Sequence, residues 1–388
     1  VIHTTEATEL SQDERLRYRR HLRLPNVGLE GQRKLKQARV ALIGAGGLGA
    51  PSALYLAAAG VGTIGIIDDD VVDATNLQRQ VIHSTATIGQ KKTESAAQRI
   101  RELNPHVNVV QRDERLTTEN AVDFVRGYDI VVDGADNFPT RYAASDACVI
   151  AEKPYVYGAV YRFEGHVSWF DARTGPCYRC LFPEAPPAGL APSCEDAGVL
   201  GVVPGIIGLL QATEAIKAII GIGTPLSGRL LVYDALDASF REMRVRKDPA
   251  CPACGESSTM RAPLGAADEC ASNGQRSENV QQTPFDVQPQ AVKERLDRKD
   301  AFELLDVRDE DELEIAALPH TMHIPAHEVA ERVAEIPRDR DVVIFCHSGG
   351  RSSRVTTLLR MQGFENVYNM NGGATRWSTE IDPSVPKY

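Results

Sequence analysis

Three stretches of this sequence have residue types and spacings suited to chemistry. In CHSGGR, residues Cys346, His347, Ser348, Gly349, Gly350 and Arg351, a cysteine ends an apolar strand and four residues separate it from the arginine. Backbone N–H groups of such a loop, and of the helix expected from Ser352, stabilise an anion on sulfur. Phosphatase loops of the cysteine type are one residue longer and make a wider cradle. The shorter spacing favours a persulfide over a phosphate ester, with an inert module as the alternative. The second stretch is IGAGGLG, where Gly44, Gly46 and Gly49 form G-x-G-x-x-G and Asp68 ends the next strand 19 residues after Gly49. Glycines let the backbone approach phosphate, a helix N-terminus supplies donors, and Asp68 suits ribose hydroxyls. Alone, the motif leaves NAD and ATP both open.

The third is a set of thiols. Cys177 and Cys180 in CYRC, and Cys251 and Cys254 in CPAC, lie about 70 residues apart. Four thiolates suit a closed, tetrahedral, structural zinc, which leaves no open position for catalysis. Two separate reduced or redox-active pairs are the alternative. Cys194 lies in APSCEDAGVLG, before an apolar helix. A helix N-terminus lowers a thiol pKa, but Glu195 and Asp196 oppose that, so nucleophile and buried small hydrophobe both remain open. Cys148 is expected in the core and Cys270 as an exposed bystander.

The charges between these stretches favour a triphosphate. Arg79 and Lys92 supply positive charge, and VVDGADN places Asp136 and Asn137 beyond a strand, at the carboxyl edge where ligands sit. A carboxylate there suits magnesium. A nicotinamide-dependent oxidoreductase with a sulfur-loop tail would use only the glycine motif and Asp68, leaving Arg79, Lys92 and Asp136 without roles.

The elements that must position these residues alternate in type. Residues 10–38 read as helical, with Ser11 and Glu14 spaced as a capping box. ARVALIGAG, VGTIGIIDDD, VNVVQRD and DIVVDGAD read as strands, separated by helical patterns, which predicts a parallel, doubly wound, Rossmann-like sheet. Past Ala151, YVYGAVYRFEGHVSWFD reads as antiparallel strands, residues 182–194 as a loop, Gly198 to Ile220 as an apolar helix, and RLLVYDA with SFREMRVR as a closing hairpin. The expected organisation is a nucleotide-binding α/β domain with a zinc-bearing subdomain over 1–256, a linker over 257–283, and a second small α/β domain over 284–388.

Composition sets limits. The chain has 388 residues, enough for more than one domain, and a formal net charge of −10, which disfavours non-specific nucleic-acid or anionic-membrane binding. No apolar run reaches transmembrane length, since Val199 to Gly223 is cut by Pro204 and carries Gln211, Glu214 and Lys217. The opening stretch lacks signal-peptide character. Two C-x-x-C pairs among eight cysteines suit a reducing cytosol, so a cytoplasmic location is expected.

RYRRHL, IGAGGLG, IIDDD, TNLQRQ, IGQKKTESA and VDGADN together resemble the MoeB/ThiF family, relatives of the ubiquitin-activating enzymes, over roughly residues 10–256. The resemblance implies a homodimer that adenylates the C-terminal Gly-Gly of a small ubiquitin-like sulfur carrier. It implies that Gly47, Asp68, Asn76, Arg79 and Lys92 contact ATP, that Asp136 binds magnesium, and that Arg20 reaches the phosphates from the other subunit. It also implies zinc on the four cysteines and a functional Cys194. Residues 284–388 are similar to a single rhodanese domain on LLDVRDEDE, the HIP of HIPAHEV, the Cys346 loop and NMNGGATRW. Asp306 and Arg308 then read as scaffold. His347 stands where many rhodanese loops carry arginine, which points to a protein persulfide, such as a cysteine desulfurase supplies, rather than thiosulfate. The combined expectation is a carrier thiocarboxylate in a molybdopterin-type or related pathway, with the linker letting Cys346 reach the adenylate.

Overall fold

The computed structural model describes residues 9–186, 198–266, 285–318 and 321–386. The chain divides into two units, Val1–Asn273 and Gly274–Tyr388.

The first unit is built on a mixed sheet of eight strands. In chain order they are β1 (Arg39–Ile43), β2 (Thr63–Ile67), β3 (Asn108–Arg112), β4 (Ile130–Asp133), β5 (Tyr155–Tyr161), β6 (Glu164–Phe170), β7 (Arg229–Asp234) and β8 (Ser239–Arg244). Their order in space is β3-β2-β1-β4-β5-β6-β7-β8. The first five are parallel and the last three join antiparallel, with Tyr155 opposite Phe170 and Leu230 opposite Met243. Along β1 the side chains alternate between two cores. Val40 and Leu42 pack with the helices Gly49–Ala59 and Val202–Ile220, while Ala41 and Ile43 pack with Ala121–Arg126 and Phe138–Ile150. Helices on both faces are why the parallel strands read as unbroken apolar runs.

Three details depart from the expectations. The helix over 10–38 is three pieces, Gln12–Arg17, Arg19–Leu22 and Gly28–Gln37, and Ser11 with Glu14 does form the capping box. Of the two breaks, at Tyr18 and over residues 23–27, the second spans Pro25, whose ring has no N–H to continue the ladder. Val202–Ile220 is long and apolar enough to cross a membrane by length and composition, and 56% of it is buried as a core helix of this unit. Within the stretch expected as linker, residues 257–266 pack onto the first unit. Ser258 Oγ donates to the carbonyls of Pro252 and Ala253, Leu264 N–H donates to Asp146, and Ala266 is buried. Residues 267–283 of that stretch lie outside the described residues.

The second unit is a five-stranded parallel sheet, with β9 (Asp286–Val287), β10 (Phe302–Asp306), β11 (Thr321–His323), β12 (Asp341–Phe345) and β13 (Val367–Met370) in the order β11-β10-β12-β13-β9. β12 is the central strand, all apolar after Asp341, and Cys346 follows it directly.

Candidate functional site

The sheet order of the first unit reverses where β1 leads to β2 on one side and lies beside β4 on the other. Ligands of open α/β sheets bind beyond the carboxyl ends of the strands at such a point. The turn after β1 is there. Gly44 takes φ 85° and its N–H donates to Ile67 O. A Cβ on Gly49 would lie 2.0 Å from Gly44 O, and one on Gly134 would lie 2.7 Å from Ile43 O. The glycines therefore permit close backbone packing between the β1 and β4 turns. A Cβ on Gly47 would press on Pro204 Cβ at 3.2 Å, with Arg79 Cδ at 3.6 Å, while one on Gly46 would meet only Gln80 Nε2 at 3.8 Å.

Asp68 braces this turn. Its Oδ2 accepts from Ala45 N–H at 2.8 Å and its Oδ1 from Asp70 N–H at 2.9 Å. Burial raises its pKa, and the nearby Lys92 ammonium pulls it back down. Lys92 is buried at 7% exposure and its Nζ lies 3.1 Å from Asp70 Oδ2. A buried cation at a nucleotide-type turn suits phosphate oxygens. Arg79 is half-buried and donates to Thr75 O, while Asn76 Oδ1 accepts from Asp73 N–H in a small capping box. Asp136 is exposed beyond β4 and accepts from Asn137 Nδ2 at 3.1 Å; Asn137 Oδ1 caps the helix Phe138–Ile150 by accepting from Thr140 N–H. An exposed carboxylate at this edge is the hard oxygen donor that magnesium takes. Arg20 is exposed on Arg19–Leu22. Cys194 lies outside the described residues.

Two further groups hold this site and were not foreseen. His83 is buried with Nε2 3.0 Å from Ala45 O and Nδ1 2.9 Å from Ser95 Oγ. Burial lowers its pKa to about 4, so it is neutral and Nε2–H donates to the turn. Asp133, at the end of β4, is fully buried and pairs with Arg141 at 2.9 Å; Arg141 also donates to Ala135 O and Gly158 O. The legible signal was an arginine inside an apolar helical pattern, which burial obliges to find a partner.

The four cysteines come together. Sγ separations are 3.9 Å for Cys177–Cys180, 3.6 Å for Cys177–Cys251 and 3.4 Å for Cys180–Cys254, and all four sulfurs lie within 4.8 Å of one another. A tetrahedron with zinc–sulfur arms of about 2.3 Å has edges of about 3.8 Å, so the donor set fits that ion. These separations are far beyond a disulfide's S–S length of about 2.05 Å. Cys177 precedes the short helix Tyr178–Leu181, and Arg179 between the cysteines pairs with buried Asp146 at 2.7 Å. Cys148 is buried in the core, as expected.

In the second unit, Cys346 is buried, and Gly349 N–H points at its Sγ from 3.1 Å. Gly349 has φ 97°, a left-handed turn that suits glycine, and the helix Gly350–Met361 starts two residues earlier than expected, so Arg351 lies in its first turn. Ala374 N–H donates to Cys346 O and Thr375 N–H to His347 O, so the first turn of the helix Gly373–Glu380 holds the loop. Ser352 Oγ is 3.5 Å from the sulfur and 2.6 Å from Asn369 Oδ1. Neither Ser352 nor Asn369 was foreseen. Asp306 and Arg308 are buried and paired with each other at 2.6 Å.

Comparison with known proteins agrees with both units. A model of the ThiF family matches residues 18–253, and one of the rhodanese-like domain matches residues 288–380. The chain is 44% identical to the probable adenylyltransferase/sulfurtransferase MoeZ of Mycobacterium tuberculosis, covering 98% of this chain and 97% of that one. It is 42% identical to the adenylyltransferase and sulfurtransferase MOCS3-2 of Zea mays, over 96% of this chain and 80% of that one. It is 52% identical to a sulfur carrier protein adenylyltransferase of Thermus thermophilus, over 65% of this chain and 94% of that one. Among solved structures, E. coli MccB with MccA-N7isoASN superposes with a TM-score of 0.55 at 25% identity, covering 62% of this chain and 74% of that one.

Proposed function

This chain belongs to the ThiF family and is an adenylyltransferase and sulfurtransferase, and we propose that it activates the C-terminal Gly-Gly carboxylate of a small ubiquitin-like sulfur carrier and converts it to a thiocarboxylate. The carrier carboxylate attacks the α-phosphate of ATP and pyrophosphate leaves. No side-chain nucleophile is needed for that step, so positioning and charge neutralisation carry it. Lys92 and Arg79 face the phosphates, with Arg20 supplied by the other subunit of a homodimer. Gly44, Gly46, Gly47, Gly49 and Asn76 make room and contacts for the nucleotide, and Asp68 takes the ribose. Asp136, beside Asn137, would hold magnesium, which supplies further neutralisation of phosphate charge. Cys177, Cys180, Cys251 and Cys254 would hold a structural zinc.

In the second step Cys346 carries a persulfide whose terminal sulfur attacks the acyl-adenylate, and AMP leaves. The Cys194 thiolate then attacks Cys346 Sγ. A Cys194–Cys346 disulfide forms, the thiocarboxylate departs, and an external thiol reduces the disulfide. A molybdopterin-type carrier and a cytoplasmic setting complete the reading.

The observation that carries it is one chain holding both a buried lysine beside a glycine turn and an intact sulfur loop in which Gly349 N–H points at Cys346 Sγ. Carrier-dependent ATP–pyrophosphate exchange tests the first step, and its absence with every Gly-Gly carrier tried would sink the proposal. A nucleotide titration separates it from the nicotinamide reading, because NAD binding tighter than magnesium-ATP would overturn it.

A further inference from the structure

Arg351 ends the sulfur loop, yet its charge is already taken up. Its Nη1 lies 2.5 Å from Glu312 Oε2, its Nη2 lies 2.7 Å from Glu312 Oε1, and Nη1 is 3.3 Å from Asp309 Oδ2. Both partners of the bidentate pair are largely buried, with side-chain exposures of 12% for Arg351 and 14% for Glu312. Burial by itself would lower the arginine pKa. Hydrogen bonding and charge from Glu312, then Cys346 and Asp309, raise it instead. The adjoining cleft is lined by Asp309, Glu310, Asp311, Glu314, His327 and Glu328. Glu328 is shared with Arg332, and His327 lies 3.5 Å from Asp309.

We propose that Glu312 is a specificity-determining residue of the sulfur-loading step: by taking up the charge of Arg351 it makes the Cys346 loop a poor site for anionic sulfane-sulfur donors, and leaves loading to donors that carry their sulfur on a neutral or cationic group. The inference rests on the sulfur-transfer reading and adds a residue to it. Loading is a displacement at sulfur. The Cys346 thiolate attacks the outer sulfur of the donor, a new S–S bond forms on Cys346, and the donor's own S–S bond breaks. The leaving group takes the electron pair, as sulfite from thiosulfate or as a thiolate from a persulfide. A doubly charged thiosulfate at Cys346 meets an Arg351 whose charge Glu312 and Asp309 already take up.

Glu312→Gln removes the charge and one acceptor of the bidentate pair, while the amide oxygen keeps an acceptor for Asp309 N–H, the contact that caps the helix Glu310–Ile315. Sulfur loading of Cys346 in the full-length chain, read as thiocyanate released to cyanide, is compared with thiosulfate and with cysteamine persulfide as donors. E312Q should lower KM for thiosulfate at least about threefold and leave that for cysteamine persulfide unchanged. The wild-type KM for thiosulfate should also fall between about 0.05 and 0.5 M inert salt, and this dependence should flatten in the variant. An unchanged thiosulfate KM overturns the inference, and so does an equal change with both donors, which marks a purely structural role. If the wild type loads no sulfur from either donor, the sulfur-transfer reading itself fails and the inference falls with it.

Discussion

Cys346 was legible because its chemistry is written in adjacent residues: a thiol, two glycines and an arginine at fixed spacing. What holds that thiol was not legible. Gly349 N–H reaches the sulfur only because the chain turns left-handed there, and Ser352 reaches Asn369 across the sheet. Cys346→Ala should leave carrier-dependent ATP–pyrophosphate exchange intact and abolish thiocarboxylate made from a persulfide donor. Mass spectrometry of the carrier checks this, and a normal yield from the variant without added sulfide would refute it. His83 carries a second prediction at this scale. The folded protein keeps it neutral down to about 4, while the unfolded chain protonates it near the ordinary imidazole value of 6.5. Protons therefore bind the unfolded chain preferentially in that window, and stability falls as pH drops from about 6.5 to about 4. The loss is on the order of 2–3 kcal/mol. Urea unfolding of the wild type and His83→Asn at neutral and mildly acidic pH should show a shallower loss in the variant.

At the scale of elements, the strands and most helices were readable, because apolar periodicity is set by which face meets a core. The single helix expected over 10–38 was not, since Pro25 breaks a run that composition alone would continue. The helix Phe138–Ile150 carries Arg141 into the core, where it meets Asp133 at the end of β4. That pair fixes the helix against the strand whose turn leads to Asp136. Arg141→Ala leaves a buried carboxylate without its partner and should destabilise the first unit by about 3–5 kcal/mol. Chemical denaturation measures this, and a loss below about 1 kcal/mol would show that solvent or another donor compensates. Arg179 and Asp146 make a similar buried pair between the first C-x-x-C and the same helix.

At the scale of the whole molecule, thiols about 70 residues apart in sequence stand with Sγ atoms 3.4 and 3.6 Å apart. A strong chelator should release one equivalent of zinc per chain and lower the first unit's thermal midpoint. Metal analysis and calorimetry read both, and an unchanged midpoint after full metal removal would argue against a structural ion. The sequence by itself determined the strand and helix alternation, the glycine turn with Asp68 and Lys92, the two cysteine pairs and the sulfur loop. Each of these depends on near neighbours or on a motif that function holds together. The tertiary structure alone decided that His83 holds Ala45, that Arg141 answers Asp133, and that Glu312 neutralises Arg351. Many acids and bases in the chain are equally eligible partners by type. Only packing sets which of them approach within a few ångströms, where burial makes their interaction strong.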